Sequence, residues 1–488
     1  MNIYCINHDY LYETEKLLFL FLPFEKNKSL KEWDSPETDY FRTEIIRGDG
    51  DITFKAEFSF EGKMLSDSKT VSLGLCKDEE YELLSIAYPL LKEVCGYAPE
   101  WGMLTGVRPS KLMLNKIDEA GEAYAIDYFR NKFFASEEKT NLALSVARAE
   151  RDIIKNSPDD SFSLYVSIPF CPTRCSYCSF VSHAIGTESA KKLVPQYVDK
   201  LCEEIELTAR LVKEQGLRLT TVYWGGGTPT SLEANQLDRV LTAIEDNFDL
   251  SECFEYTVEA GRPDTVTEEK LRVLKKHNVG RISINPQTFS DSVLEAIGRR
   301  HTASLTEEKY LLAREIGFDS INMDLIAGLP TDTYENFCKS VDKAITLGAD
   351  NITVHTLALK KSSTIVTENE KDSVSSDDIE RMLNYASETL TANGYHPYYM
   401  YRQSKALGNF ENVGWCKSGK ECAYNILMME EYQHIISVGA SAVTKLLSPQ
   451  ITKIERIFNY KYPFEYISRF DTLMEKKARL SSFFEECK

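Results

Sequence analysis

The stretch Ser163–Phe180, SLYVSIPFCPTRCSYCSF, holds three of the chain's 12 cysteines, spaced C-x-x-x-C-x-x-C at Cys171, Cys175 and Cys178. With about one cysteine in forty residues, chance matches to that spacing number on the order of 0.01 in a chain of this length. Structural zinc normally takes four protein ligands, and Cys202 and His183 are the sequence candidates for a fourth. A [4Fe–4S] cluster on three thiolates instead leaves one iron without a protein ligand, as a catalytic metal centre requires.

The residues around this motif alternate regularly between strand and helix. Leu164–Ile168, Thr221–Trp224, Glu255–Glu259, Arg281–Ile284, Ser320–Leu325 and Asn351–Thr356 read as strands. Ser189–Gln215, Asn235–Asn247, Glu268–His277, Asp291–Ile297, Leu305–Ile316 and Tyr334–Leu347 read as the helices between them. Six βα units predict a parallel sheet with right-handed crossovers, closed as an open or partial barrel. Chemistry in such folds gathers at the carboxyl ends of the strands. There lie the cysteines, Gly225–Thr230, Glu259, Gln287, Asp324, and His355 with Ala358, in strand order.

Three regions are expected. Residues 1–155 form a small α/β domain, with alternating segments Ile52–Phe60 and Thr70–Leu75 and helices Asp78–Val94, Asp118–Phe134 and Glu138–Lys155. Within it, Arg108 and Lys111 either meet an anion or make surface ion pairs. The run Asn156–Asp160 reads as a linker. Residues 156–360 form the barrel. Residues 361–488 form a mixed, mainly helical region that covers the substrate. It opens with a polar linker and contains helix Asp377–Ala392, the aromatic stretch Tyr395–Gln403 and a helical tail, Tyr460–Phe484.

Asp plus Glu number 75 against 57 Lys plus Arg, a net charge of −18, which argues against a broad nucleic-acid surface. The apolar run Leu17–Pro23 is too short to span a membrane. Asp9, Glu13 and Glu15 precede it, where a signal peptide would carry positive charge. The chain reads as cytoplasmic, where cysteines stay reduced and serve as metal ligands, catalysts or buried core.

The cysteine motif between a strand and a long helix, followed after the next strand by Gly225, Gly226, Gly227, Thr228 and Pro229, resembles the signature of the radical S-adenosylmethionine (SAM) superfamily. That resemblance implies a [4Fe–4S] cluster on Cys171, Cys175 and Cys178, with SAM binding the open iron through its amino and carboxylate groups. One-electron reduction then cleaves the S–C5′ bond and gives a 5′-deoxyadenosyl radical that abstracts hydrogen. Glycines let backbone carbonyls approach the methionine ammonium group. Arg299 has the planar fork suited to a carboxylate, although a solvated arginine reads the same in sequence.

SLYVSIPFC, YWGGGTPT and NMDLIAGLP are similar to the anaerobic coproporphyrinogen III dehydrogenase family, HemN with its HemW and HemZ relatives, over roughly Ser163–Lys360. The match implies a radical SAM oxidoreductase of heme biosynthesis that oxidatively decarboxylates two propionates of coproporphyrinogen III, giving protoporphyrinogen IX. It implies SAM contacts at Tyr165, Gly226, Gly227, Thr228, Glu259, Gln287, Arg299, Asp324, Ala358 and Val443, with Tyr177 beside the cluster. Tyr165, Arg299 and Asp324 would be the catalytic residues. It further implies a tetrapyrrole substrate, an electron donor such as flavodoxin or ferredoxin, and a monomer. Arg300, Arg402, Lys417 and Lys420 are candidates to meet the substrate propionates.

Three departures from the family pattern stand out. Gly261–Pro263 lengthens the step from Glu259 to Gln287 by one residue. Phe180 stands where the founding dehydrogenases carry a further cysteine, as in the related heme chaperones. Those chaperones carry H-N-x-x-Y-W near the C-terminus, where this chain reads Tyr424, Asn425, Ile426, Leu427, Met428 and Met429. Met428 or His434 could still meet heme iron, or both are core residues. The long N-terminal extension with WGMLTGVRPSK, and MYRQSKALGNFENVGW near the C-terminus, are most similar to the HemZ branch. A heme chaperone, or a radical SAM enzyme acting on another tetrapyrrole, is the alternative.

Overall fold

The structure, a computed structural model, describes residues 1–23, 25–33, 39–158, 160–180, 182–358, 374–403, 409–449 and 453–487. Asp159 of the expected linker, residues 361–373 of the polar opening of the third region, and residues 404–408 lie outside the described residues. The backbone forms two compact units, Met1–Leu144 and Ser145–Lys488.

The first unit has a five-stranded sheet in the order β2-β1-β3-β4-β5. The strands are β1 (Asn2–Ile6), β2 (Lys28–Leu30), β3 (Tyr40–Arg47), β4 (Asp51–Phe60) and β5 (Lys63–Ser72). Helices α1 (Leu11–Phe21) and α2 (Glu79–Cys95) pack with it in a core that includes Leu17, Leu18, Phe41, Phe54, Phe58, Leu83 and Leu91. The apolar run from Leu17 thus belongs to a core helix. The helix expected over Asp118–Phe134 is instead divided. Pro109 starts α3 (Pro109–Ala120) earlier, Gly121 at φ +90° interrupts it, and α4 (Glu122–Asp127) runs into a π-turn at Tyr128–Lys132. Helix α5 (Glu137–Lys155) follows, and the boundary between the units falls within it.

The second unit is built on β6 (Ser161–Ile168), β9 (Arg218–Gly226), β10 (Glu255–Gly261), β11 (Arg281–Ile284), β12 (Ser320–Ala327) and β13 (Asn351–Thr356). Consecutive strands pair in parallel in chain order, the arrangement expected of a partial (β/α)6 barrel. The short strands β7 (Phe170–Cys171) and β8 (His183–Ala184) follow β6. Between the long strands run α6 (Glu188–Glu214), α7 (Ala234–Asn247), α8 (Glu268–Lys276), α9 (Asp291–Ala296), α10 (Ala303–Ile316) and α11 (Tyr334–Leu347). Thr187, Thr267, Thr302 and Thr333 cap α6, α8, α10 and α11, each side chain accepting from an amide in the first turn. Gly317 and Gly348 end α10 and α11 in the left-handed conformation.

The C-terminal region is mixed. After the helix Ser376–Ala392, the antiparallel pair β14 (His396–Arg402) and β15 (Glu411–Cys416) extends the sheet beyond β13. Beside β6, β16 (His434–Val438) pairs in parallel, and β17 (Val443–Leu447) and β18 (Ile454–Phe458) continue antiparallel. Among the described residues the result is one sheet of eleven strands, with β14 and β18 at its ends. Three short helices, Pro463–Ser468, Phe470–Lys477 and Arg479–Cys487, complete the tail.

A buried polar network ties this tail to α6. Glu204, fully buried, accepts from the Gly439 amide at 2.7 Å, the Tyr466 hydroxyl at 2.5 Å and Asn459 Nδ2 at 2.7 Å, and pairs with Lys477 Nζ at 2.7 Å. Lys477 also donates to Ser437 O at 2.8 Å and Thr208 Oγ1 at 3.0 Å. With every partner supplied, these charges are tolerated away from water.

Candidate active site

The cysteine loop leaves the carboxyl end of β6 and is clasped by a two-residue ladder. Phe170 pairs with His183 and Cys171 with Ala184, a short ladder that begins at the first cysteine of the motif. The glycine turn after β9 supports it from one side. The Gly227 amide donates to Ile168 O at 2.8 Å, the Thr228 amide to Phe170 O at 2.7 Å, and Thr228 Oγ1 to Cys171 Sγ at 3.4 Å. A Cβ on Gly227 would stand 2.6 Å from Phe170 O and 3.0 Å from Cys171 Sγ, so only glycine fits. Gly226 has φ +104°.

Two buried arginines also contact the loop. Arg262 Nη1 donates to Thr173 Oγ1 at 3.0 Å and reaches Cys175 Sγ at 3.5 Å, while its Nη2 pairs with Asp264 at 2.8 Å. Arg299 donates from Nη1 to Asn285 O at 2.7 Å and from Nη2 to the Tyr177 hydroxyl at 3.1 Å. Its Nε is buried without a hydrogen-bond partner among the described residues. Arg299 is therefore a built-in cation of the site and not a solvated side chain. Burial raises the Cys171 thiol and pushes Cys178 up to about 11, so both rest protonated and would release protons on binding metal. His183 packs against the rings of Tyr462 and Phe464. Neither His183 nor Cys202 joins the three thiols in a set tight enough for a single ion among the described residues. Three thiols on a clasped loop, a glycine turn with no room for a Cβ, and an unpartnered guanidinium nitrogen fit a cluster and an anionic ligand.

The remaining expected residues line the same rim. Glu259, at the end of β10, accepts from the Tyr223 hydroxyl at 2.5 Å. Burial pushes its carboxyl up to about 7; the Tyr223 bond opposes this and Asp324 adds to it. On β12, burial also works to raise Asp324. Hydrogen bonding and charge from His355, with Asn322 and Thr353, outweigh it and hold this acid below the usual range. Asn322 Nδ2 donates to Asp324 Oδ1 at 2.7 Å, and His355 Nε2 lies 3.8 Å from it. The site thus holds one carboxyl that titrates near neutrality and one that stays ionised. Gln287 takes φ +68° and bridges to β12, its amide donating to Asp324 O and its carbonyl accepting from the Ile326 amide.

Tyr165 stacks with Tyr223 at 6.3 Å and with Tyr424 at 6.2 Å, and Tyr223 stacks with Tyr424 at 4.3 Å. Tyr165 pairs in register with Ser437, whose Oγ donates to Val443 O at 2.8 Å, which brings β17 to the rim. Ala358 follows β13, where the Leu357 amide donates to Ala327 O.

Other candidates separate by position. Arg300 is exposed beside Arg299. Arg402 ends β14 at the active rim in register with Glu411, and burial lowers its guanidinium to about 10. Lys417 and Lys420 do not belong with them. They follow β15 at the opposite end of the sheet, donating to Gly348 O and Asp319 O, which precede β13 and β12. The sequence could not say at which end an antiparallel strand delivers its loop. His434 Nδ1 accepts from the Leu447 amide, and its ring packs on Phe484, so it is a core residue, pushed down to about 4 by burial. Met428 Sδ lies against Lys445 Nζ. Arg262 was not anticipated as a site residue. Its signal was the extra residue at Gly261–Pro263, which the sheet absorbs as a register shift between Glu259 and Gly261.

The profile of the radical SAM superfamily matches residues 165–344. The oxygen-independent coproporphyrinogen-III oxidase-like protein HemZ of Bacillus subtilis is 36% identical over 456 residues, covering 91% of this chain and 90% of that protein. The heme chaperone HemW of the same organism is 32% identical over 284 residues, 57% of this chain and 70% of that protein. Among solved structures, Escherichia coli coproporphyrinogen III oxidase (HemN), a radical SAM enzyme, superposes with a TM-score of 0.53 at 25% identity, covering 67% of this chain and 73% of that one. The fold and site define a radical SAM protein, whose superfamily uses a [4Fe–4S] cluster and SAM. Within that superfamily the chain belongs to the HemN, HemW and HemZ family of coproporphyrinogen oxidase-like proteins. Among the described residues no helix is long and apolar enough to cross a membrane.

Proposed function

We propose that this chain is a radical SAM oxidoreductase that converts coproporphyrinogen III to protoporphyrinogen IX without oxygen, by oxidative decarboxylation of two propionates. One observation carries the choice over a heme chaperone. At the place of the chaperones' histidine stands Tyr424, buried and stacked on Tyr223 at 4.3 Å beside Tyr165, so this side chain builds the barrel interior and is not free to take up heme. Similarity to HemZ over nearly the whole chain supports the same reading.

Cys171, Cys175 and Cys178 would hold the cluster. Gly226, Gly227 and Thr228 would offer backbone to SAM, and Arg299 would offer positive charge to a carboxylate. Glu259 and Gln287 would accept hydrogen bonds from neutral hydroxyls, and Asp324 would remain a fixed negative charge held by His355 and Asn322. Cluster and SAM, once bound, supply one-electron chemistry able to remove hydrogen from a propionate β-carbon. The protein's share is alignment and exclusion of water. Arg402 and Arg300, at the rim, would meet substrate carboxylates, and an electron-donor protein such as flavodoxin or ferredoxin would reduce the cluster.

A chaperone reading keeps one observation of its own: Phe180, two residues past Cys178, is 66% exposed. Anaerobic turnover of reconstituted protein with reductant, SAM and coproporphyrinogen III separates the two. A product lighter by two CO2 and four hydrogens, with 5′-deoxyadenosine, supports the oxidoreductase. Intact substrate together with a tight heme-induced Soret shift would favour the chaperone.

A further inference from the structure

Among the described residues, one set of ligand-type side chains gathers closely enough for a single ion: His396, Cys416 and Glu421, with ligand atoms within 4.8 Å of one another. The set lies away from the cysteine loop. Cys416 pairs with His396 across β14 and β15 and with Asn351 at the start of β13, which places it at the amino ends of the parallel strands. His396 Nε2 stands 3.5 Å from Cys416 Sγ and 2.9 Å from Glu421 Oε1.

We propose that His396, Cys416 and Glu421 bind a divalent d-block cation, zinc by the chemistry of the donors. One thiolate, one imidazole and one carboxylate suit zinc, whereas calcium and magnesium take oxygen alone. With zinc–ligand bonds of about 2.0–2.3 Å, neighbouring donors on a tetrahedron stand about 3.3–3.6 Å apart. The Cys416–His396 separation already meets this, the His396–Glu421 separation of 2.9 Å must open by a few tenths of an ångström, and the Cys416 and Glu421 ligand atoms lie within 4.8 Å.

The frame is fixed before an ion arrives. Cross-strand register sets His396 and Cys416, while Arg281 Nη2 grips the loop of Glu421 through Lys420 O at 2.6 Å and Glu421 O at 2.8 Å. Asn351 Nδ2 also donates to Lys420 O at 2.6 Å. The Arg281 charge is spent on these carbonyls, on Asn351 Oδ1 and on Glu255, 3.9 Å away. The sulfur is buried, while the side chains of His396 and Glu421 are 39% and 22% exposed, leaving a route in and a water as fourth ligand. Zinc here would pin the β14–β15 edge to the loop that leads into the helix Ala423–Glu430, which carries Tyr424.

The test uses the full chain with its iron–sulfur cluster loaded, incubated anaerobically with zinc and dialysed into metal-free buffer. Metal analysis should find one zinc per chain beyond the iron, and zinc-edge absorption should give one sulfur at about 2.3 Å with nitrogen and oxygen completing the shell. His396→Ala and Glu421→Gln should each weaken zinc retention at least tenfold with iron content unchanged, and zinc should raise the melting temperature of the wild type but not of His396→Ala. A wild type that keeps no zinc would overturn the site. So would a zinc bound by three sulfurs, which belongs to the cysteine loop, or equal retention by His396→Ala.

Discussion

Arg262 Nη1 lies 3.5 Å from Cys175 Sγ, and the same guanidinium is locked to Asp264 at 2.8 Å by its other nitrogen. A cysteine of the expected cluster therefore faces a buried, fixed cationic donor. Hydrogen bonds to cluster sulfurs and local charge both set reduction potential. Arg262→Lys keeps the charge and can keep Asp264 company, but loses the rigid fork. The cluster should still form and its midpoint potential should fall, read by redox titration followed by electron paramagnetic resonance. An unchanged potential would show that the contact does not tune the cluster.

Gly227 is a position where one methyl group should separate cluster binding from folding. Its Cβ would meet Phe170 O at 2.6 Å and Cys171 Sγ at 3.0 Å. Gly227→Ala should cost about 1–3 kcal/mol through overpacking, small enough for the chain to fold. Reconstituted iron content should drop well below that of the wild type, and SAM affinity with it. Full iron content in a folded variant would mean that the loop can give way and that the glycine is not needed there.

Glu259 sets a pH signature. Its carboxyl, raised from 4.5 to about 7 by burial, holds a proton in the folded protein that the unfolded chain has already lost. Stability from this group is complete below about pH 4.5 and declines as pH rises through 7. At about 1.4 kcal/mol per pKa unit, the change amounts to a few kcal/mol. Urea unfolding at pH 5.5 and pH 8 should show the wild type losing more stability than Glu259→Gln over that interval. Parallel losses in the two proteins would place the titration elsewhere.

The tail is held by a buried ion pair whose loss should be felt globally. Lys477→Met leaves Glu204 with neutral donors only, and stranding one partner of a buried pair costs about 3–5 kcal/mol. The change should appear as a lowered urea midpoint, partly restored by adding Glu204→Gln. A loss under about 1 kcal/mol, the worth of a surface pair, would contradict the network described for α6 and the tail.

Much of this was legible beforehand, because the barrel is built from local signals. A β-branched run such as Asn351–Thr356, a threonine cap such as Thr333 and a glycine stop such as Gly348 lie within one βα unit, and the rim follows from the order of units. Residues whose surroundings are made by distant chain were harder to read. Ser437 meets Tyr165 only because β16, far along the chain, joins β6. Arg262 meets Cys175 across 87 residues of chain. Lys417 and Lys420 carry the right charge for a propionate, yet β15 runs antiparallel and delivers them to the wrong end. In the first unit, the pattern expected of one helix over Asp118–Phe134 gave way to Gly121, whose φ of +90° no helix accommodates.

Whether three thiols leave one iron open to SAM is read most directly from the reduced cluster's electron paramagnetic resonance spectrum, recorded with and without SAM. The expected result is a [4Fe–4S] signal that shifts on adding SAM and keeps its unshifted form in Arg299→Ala at the same SAM concentration. A spectrum indifferent to SAM in the wild type, with four irons present, would contradict an open cluster site formed by Cys171, Cys175 and Cys178.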